Sequence, residues 1–271
     1  MKNSKRNIFG LLGALAVAFI LQIIVAFAVM LPATILSYPT TELLGLTVMV
    51  THLALLVCFG LWYAYGCGYG YGASSSLKQA FFGKNIFVIV ILAVGSCYLT
   101  NFAMPIAGLF IPENVMEAYM ELMETAGFGE SILPTLAAVL IAPFGEEFIF
   151  RGVIYHYACN LVSVMNSKKS AFYIANMVQA LAFGIFHGNL IQGAYAFLLG
   201  LVLGYLRERF HSIWAPILAH MIINSCSSFL WEPFALLLPE SILVFMAGTI
   251  FFGTVVALGF KIGGPVVKDA D

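Results

Sequence analysis

Hydrophobic residues in this chain come in long blocks separated by short polar connections. Eight stretches, 8–31, 43–63, 85–110, 132–156, 171–187, 190–206, 213–231 and 241–260, are dominated by apolar side chains. Each approaches the roughly 17–25 residues a helix needs to cross a bilayer core. The pattern predicts an all-α, polytopic membrane helix bundle of about eight transmembrane helices. No repeat with a period of 20–50 residues interrupts it, so residues 1–271 read as a single integral membrane domain. The first block follows Lys2, Lys5 and Arg6. It is longer than the apolar core of a signal peptide and predicts a retained first helix.

The polar connections give this bundle an orientation. Eleven of the twelve basic residues (Lys2, Lys5, Arg6, Lys78, Lys84, Lys168, Lys169, Arg207, Arg209, Lys261 and Lys268) fall on one side when the spans alternate. Basic residues concentrate in cytoplasmic loops, which predicts a cell-membrane protein with both termini cytoplasmic. The opposite loops carry Glu42, Glu113, Glu117, Glu121, Glu124, Glu130, Glu232 and Glu240. Between 111 and 130 the glutamates recur at helical spacing, opposite Val115, Tyr119, Leu122, Met123 and Ala126. A short helix on the outer membrane surface is expected there, as an interfacial connector or as an acidic lid for a basic peptide. The Gly/Tyr-rich segment 62–72 reads as interfacial aromatics on a loop.

Composition narrows the function classes. The chain is 62% hydrophobic and 9% charged, with a mean hydropathy of +0.98. A soluble domain is about a quarter charged, so that class is excluded. A net charge of −1 with no basic stripe excludes nucleic acid as a partner. Cys58, Cys67, Cys97, Cys159 and Cys226 include no CxxC pair and read as small hydrophobes.

The remaining interest lies in charges inside the spans. Glu146, Glu147 and Arg151 sit in the fourth block, where each ionised side chain costs about 2.5–3.5 kcal/mol on insertion scales. Glu147 and Arg151 are four residues apart with the acid first, the favourable order for a helical ion pair. Glu146 lies off that face and is left with no local partner. Pro143 removes a helical hydrogen bond just before it, which predicts a wet pocket at this depth. The fifth block ends in His187, before a Gly188–Asn189 turn, and the seventh carries His220 and Asn224 on one face. His52, His156 and His211 lack such company and read as structural or surface residues. Gly200 and Gly204 form a small-residue step suited to close helix packing.

Glu146-Glu147-x-x-x-Arg151, Phe183-x-x-x-His187 and His220-x-x-x-Asn224, in this order, resemble the three motifs of the CPBP family. That family contains type II CAAX prenyl endopeptidases and their relatives in bacteriocin processing and immunity. The resemblance covers residues 130–235, the expected catalytic core. It implies an intramembrane endopeptidase acting on a membrane-associated peptide or protein. Glu146 would be the general base, with His187, His220 and Asn224 completing the catalytic set. Glu147, Arg151 and Phe183 would support them. Metal-free glutamate catalysis, with no cofactor, is the expectation. One alternative is a zinc-dependent version of the same hydrolysis, with Glu146, His187 and His220 as zinc ligands. The other is a non-catalytic membrane partner acting in bacteriocin immunity or sensor-kinase regulation. A proton-coupled transporter is disfavoured by the absence of inverted repeats. His187 also poses a question of depth, because alternating spans place it near the outer end of its helix and Glu146 near mid-membrane. The two short blocks 171–187 and 190–206 predict a hairpin that stops short of the outer surface and sinks His187 toward Glu146.

Overall fold

A computed structural model describes residues 2–36, 40–67, 81, 83–126, 132–162, 168–239 and 241–266. Among the described residues the chain is helical, with eight long helices and one shorter one. We label them α1 (Lys2–Ile35), α2 (Thr40–Leu61, continued by a wide turn Trp62–Gly66), α3 (Lys84–Gly108), α4 (Glu113–Ala126), α5 (132–162), α6 (Lys168–Phe186), α7 (Leu190–Arg209), α8 (214–235) and α9 (Ile242–Gly263). The eight long helices correspond one to one with the expected apolar blocks. Most run a few residues beyond them, because backbone hydrogen bonding continues where hydropathy fades. Among the described residues, five helices are long and apolar enough by composition to cross a membrane. The chain is therefore an all-α, multi-pass membrane protein.

Where the apolar side chains point supports the same class. Phe9 and Phe27 on α1 and Leu243, Ile250 and Phe251 on α9 are each more than 60% exposed. Contiguous apolar faces of this extent belong against lipid rather than water. The inner core is built by α2, α3, α5, α7 and α8, with Leu55, Phe59, Ile89, Leu92, Phe150 and Leu203 completely or almost completely enclosed. The cysteines in it behave as expected, buried or partly buried and free.

Two helices are not regular. In α5, wide π-helical turns occupy Ala137–Ile141 and Phe148–Ile154, on either side of Ala142–Glu147. In α8, Trp214–Ser225 passes into a π turn over Cys226–Trp231. Such turns are frequent at functional sites. The Gly/Tyr segment differs from its expected form, because Trp62–Gly66 is helical rather than loop. Trp62 stacks on Phe59 and donates to the Tyr157 hydroxyl at 3.1 Å, which fastens the end of α2 to α5. Residues 68–72 of that segment, together with Lys78, Glu130, Glu240 and Lys268, lie outside the described residues.

The α6–α7 pair forms the short hairpin. Gly188 takes φ 75°, the left-handed region open to glycine, and Asn189 caps α7 by accepting the Gln192 N–H at 2.7 Å. Beside the turn, Gly184 and Gly193 let the two backbones touch, since a Cβ on Gly193 would meet the Gly184 carbonyl oxygen at 2.8 Å. Deeper in the pair, Gly200 and Gly204 lie against Ala180 and Asn176. Gln179 donates to the Gly200 carbonyl at 2.9 Å and Asn176 to the Leu201 carbonyl at 3.1 Å. This step is a packing device.

Candidate active site

The centre of the bundle holds a cavity of about 510 Å³, lined by residues of α1 to α8. Glu146, His187, His220, Asn224 and Phe183 all face it. Two of the helices that build the site, α5 and α6, bring contacts between side chains four residues apart, which sequence spacing makes legible.

The first pairing is the one within α5. Arg151 donates to Glu147 Oε1 at 2.8 Å, and both side chains are fully enclosed. The guanidinium carbon also lies 4.3 Å from the centre of the Phe183 ring, a cation–π contact in a dry setting. Phe183 in turn meets the His187 ring edge-on at 4.7 Å and the His220 ring at 5.7 Å. The aromatic ring of α6 thus touches the Arg151 guanidinium and both histidines.

His220 closes this arrangement from α8. Its Nδ1 lies 2.8 Å from Glu147 Oε1, the same oxygen that accepts from Arg151. A salt-bridged carboxylate accepts, so Nδ1 carries the hydrogen. Nε2 then faces Glu146 Oε2 at 3.7 Å. His187 is held in a similar way, with Nδ1 donating to the Phe183 carbonyl at 2.8 Å one turn back along its own helix. Its Nε2 is the nitrogen left for the cavity. The question of depth is resolved as the short hairpin predicts, since His187 and Glu146 line the same space.

Asn224 is tied by a hydrogen bond that sequence spacing does not reveal. Its Nδ2 donates to the Ala138 carbonyl at 2.8 Å. In the π turn the Ala142 N–H bonds to Ala137, one residue further back than in an α-helix. The next donor in that register would be residue 143, a proline with no N–H. The Ala138 carbonyl is left orphaned, and Asn224 satisfies it. The carbonyl freed by Pro143 thus lies beside the cavity but is bonded by protein. One of the two Asn224 amide hydrogens is committed, leaving the other for chemistry. Asn224→Ala is therefore expected to lower both the thermal midpoint in detergent and any activity. Asn224→Asp, which cannot donate, should share the loss of stability, as read from thermal unfolding of the purified variants.

His52 joins this site against the expectation of a structural role. Its Nε2 lies 3.2 Å from Glu146 Oε1, and its Nδ1 donates to the Val48 carbonyl at 2.8 Å. Glu146, lacking a partner on its own helix, finds one on α2. The cavity is roofed on another side by Tyr119, Leu122 and Met123 of α4. The α4 glutamates Glu113, Glu117, Glu121 and Glu124 face outward, as their spacing predicts. Among the described residues, no three His, Cys, Asp or Glu side chains are placed to hold a metal ion.

A buried glutamate ringed by histidines and an asparagine, inside a membrane bundle, defines a membrane protein with a polar site suited to hydrolysis. Comparison with known proteins makes this narrower. Residues 128–226 match the family described as type II CAAX prenyl endopeptidase Rce1-like. Over 93 residues the chain is 28% identical to YdiL of Bacillus subtilis (strain 168), a protein provisionally named a membrane peptidase. That match covers 34% of this chain and 35% of the relative's length. No solved structure matches the chain. Residues 128–226 are thus similar to the Rce1-like family over a little more than a third of the chain.

Proposed function

We propose that this protein is an intramembrane endopeptidase that hydrolyses a peptide bond in a membrane-associated peptide or protein, with both of its own termini in the cytoplasm and residues 130–235 as its catalytic core. The observation that carries the reading is Glu146. One of its oxygens is held by His52, and the other, Oε2, has no hydrogen-bond partner among the described residues while the residue lines the cavity. A buried carboxylate with one unpartnered oxygen is suited to accept a proton from water.

In this reading Glu146 Oε2 removes a proton from a water oriented by His187 Nε2, and the hydroxide adds to the scissile carbonyl carbon. The free Asn224 N–H donates to the developing oxyanion. Because the Nδ1 hydrogen of His220 is committed to Glu147, this histidine can assist the oxyanion only through Nε2–H as an imidazolium. The proton taken up by Glu146 passes to the leaving nitrogen as the C–N bond breaks, and the carboxylate is regenerated. General base catalysis of this kind contributes about 10²–10⁴-fold, and an oxyanion donor about 10²–10³-fold.

Comparative peptidomics of membranes from cells expressing wild type or Glu146→Gln at equal level tests the reading. Peptide termini present with wild type and absent with the variant are expected. Indistinguishable peptide sets would point to a non-catalytic partner role instead. The mechanism needs no metal. Prolonged 1,10-phenanthroline treatment of the detergent-purified protein is expected to leave turnover intact. Loss of turnover on chelation, restored by zinc and not by an inert salt, would replace this mechanism with a zinc-dependent one.

A further inference from the structure

We propose that His52 is a positioning residue of this site, holding the Glu146 carboxyl so that only one of its oxygens is offered to the reacting water. The inference rests on the peptidase reading for its catalytic part, but the hydrogen-bond argument is independent of it. His52 lies outside the Rce1-like segment, on a helix none of the three motifs includes.

Hydrogen-bond bookkeeping fixes the proton count in this contact. The Val48 carbonyl can only accept, so the His52 Nδ1 beside it at 2.8 Å carries a hydrogen. A neutral His52 then presents a bare lone pair at Nε2, and a carboxylate oxygen is also an acceptor. Two acceptors do not approach to 3.2 Å without a hydrogen between them. The His52–Glu146 contact therefore contains one proton, which a Glu146 acting as base leaves on the imidazole.

A count of charges arrives at the same proton. The enclosed cluster holds two carboxyl groups, Glu146 and Glu147, and one guanidinium, Arg151. With both acids ionised it carries one uncompensated negative charge, which a membrane interior penalises. The groups facing Glu146 besides His52 are His220, with Nε2 at 3.7 Å, and His187 across the cavity. Of these, His52 alone stands within hydrogen-bond distance of a Glu146 oxygen. One proton in the contact makes the cluster neutral.

The fold is built to bring the two together. α2 crosses α5 at Gly145, directly before Glu146, where a Cβ would meet the His52 carbonyl oxygen at 3.1 Å and the Leu56 nitrogen at 3.4 Å. A side chain at this position would press the two backbones apart by a few tenths of an ångström. His52 takes Oε1, and Oε2 is left toward the cavity.

The test uses the full chain in detergent, with N,N′-dicyclohexylcarbodiimide as the probe, because that reagent modifies carboxyls that carry their own proton. Labelling of Glu146 is read by mass spectrometry in wild type, His52→Leu and His52→Gln. With the imidazole gone, the enclosed carboxyl keeps the proton itself. His52→Leu is expected to label at least about tenfold faster, the equivalent of one charge-assisted hydrogen bond lost. His52→Gln, whose amide can still donate to Oε1 but cannot carry the proton, should label faster than wild type and more slowly than His52→Leu. If His52→Leu does not accumulate, His52→Asn, too short to reach Glu146, takes its place with the same expectation. With a cleaved substrate in hand, kcat of His52→Leu should fall by about 10²-fold at unchanged KM, as for a misplaced reacting group, with partial rescue in His52→Gln. Equal labelling in wild type and His52→Leu would overturn the inference. A wild-type protein that cleaves nothing would remove the peptidase reading and leave the labelling result to decide this one.

Discussion

Glutamine in place of Glu146 is expected to lower turnover of a cleaved substrate by about 10²–10⁴-fold, with the protein still inserted at its normal level. The substitution removes the proton acceptor and little else. The side-chain volume is unchanged, and the introduced amide can donate to the His52 Nε2 that Glu146 contacts at 3.2 Å. The cluster also becomes neutral without an added proton, so folding is spared. The measurement is kcat of purified variant against wild type, with membrane level and thermal midpoint beside it. Wild-type turnover in Glu146→Gln would end the assignment of Glu146 as base.

Removing Arg151 is expected to have the larger effect on the protein itself. The guanidinium is fully enclosed, and it bonds Glu147 at 2.8 Å and covers the Phe183 ring at 4.3 Å. Arg151→Ala would leave Glu147 enclosed and ionised with only His220 beside it. Breaking a buried pair from one side costs about 3–5 kcal/mol. A domain's whole stability is about 5–15 kcal/mol, so membrane levels should fall severely. Glu147→Ala should do the same by stranding the guanidinium. The combined change Glu147→Leu with Arg151→Met, which removes both charges at similar volume, should restore much of the level. It should not restore turnover, because His220 Nδ1 loses the acceptor that orients the ring. Normal levels of Arg151→Ala would show that the pair does not carry the stability assigned to it.

Hydropathy makes the helices legible, since the apolar blocks together exceed what a soluble core could hide. Spacing makes the Glu147–Arg151 pair legible, because four residues on a helix is a local relation that needs no knowledge of the fold. His52 is beyond this reach. It lies 94 residues from Glu146, and its value depends on α2 crossing α5 at Gly145. The Asn224–Ala138 bond is hidden for a different reason. It exists because a π turn and a proline together orphan one carbonyl, and π turns leave no periodic mark in a hydropathy pattern. The helical form of Trp62–Gly66 escapes because glycine and tyrosine there resemble a loop, while the Trp62–Tyr157 contact that holds it is tertiary.

The π turns of α5 have a consequence for how this sequence can change. Each holds one residue more than the α-helical turn it replaces, and one residue is about 100° of rotation around the axis. Because the wide turn over Ala137–Ile141 absorbs its extra residue without adding that rotation, losing one residue inside it would close it to an α-helical turn. Glu146, Glu147 and Arg151 would keep facing α2 and α8, at the cost of the Asn224–Ala138 bond. Along this stretch, then, lineage history is constrained by counting as much as by chemistry. A one-residue deletion within the turn can be absorbed, whereas one in the regular stretch between it and Glu146 would rotate the three side chains by about 100° and disassemble the site in a single event.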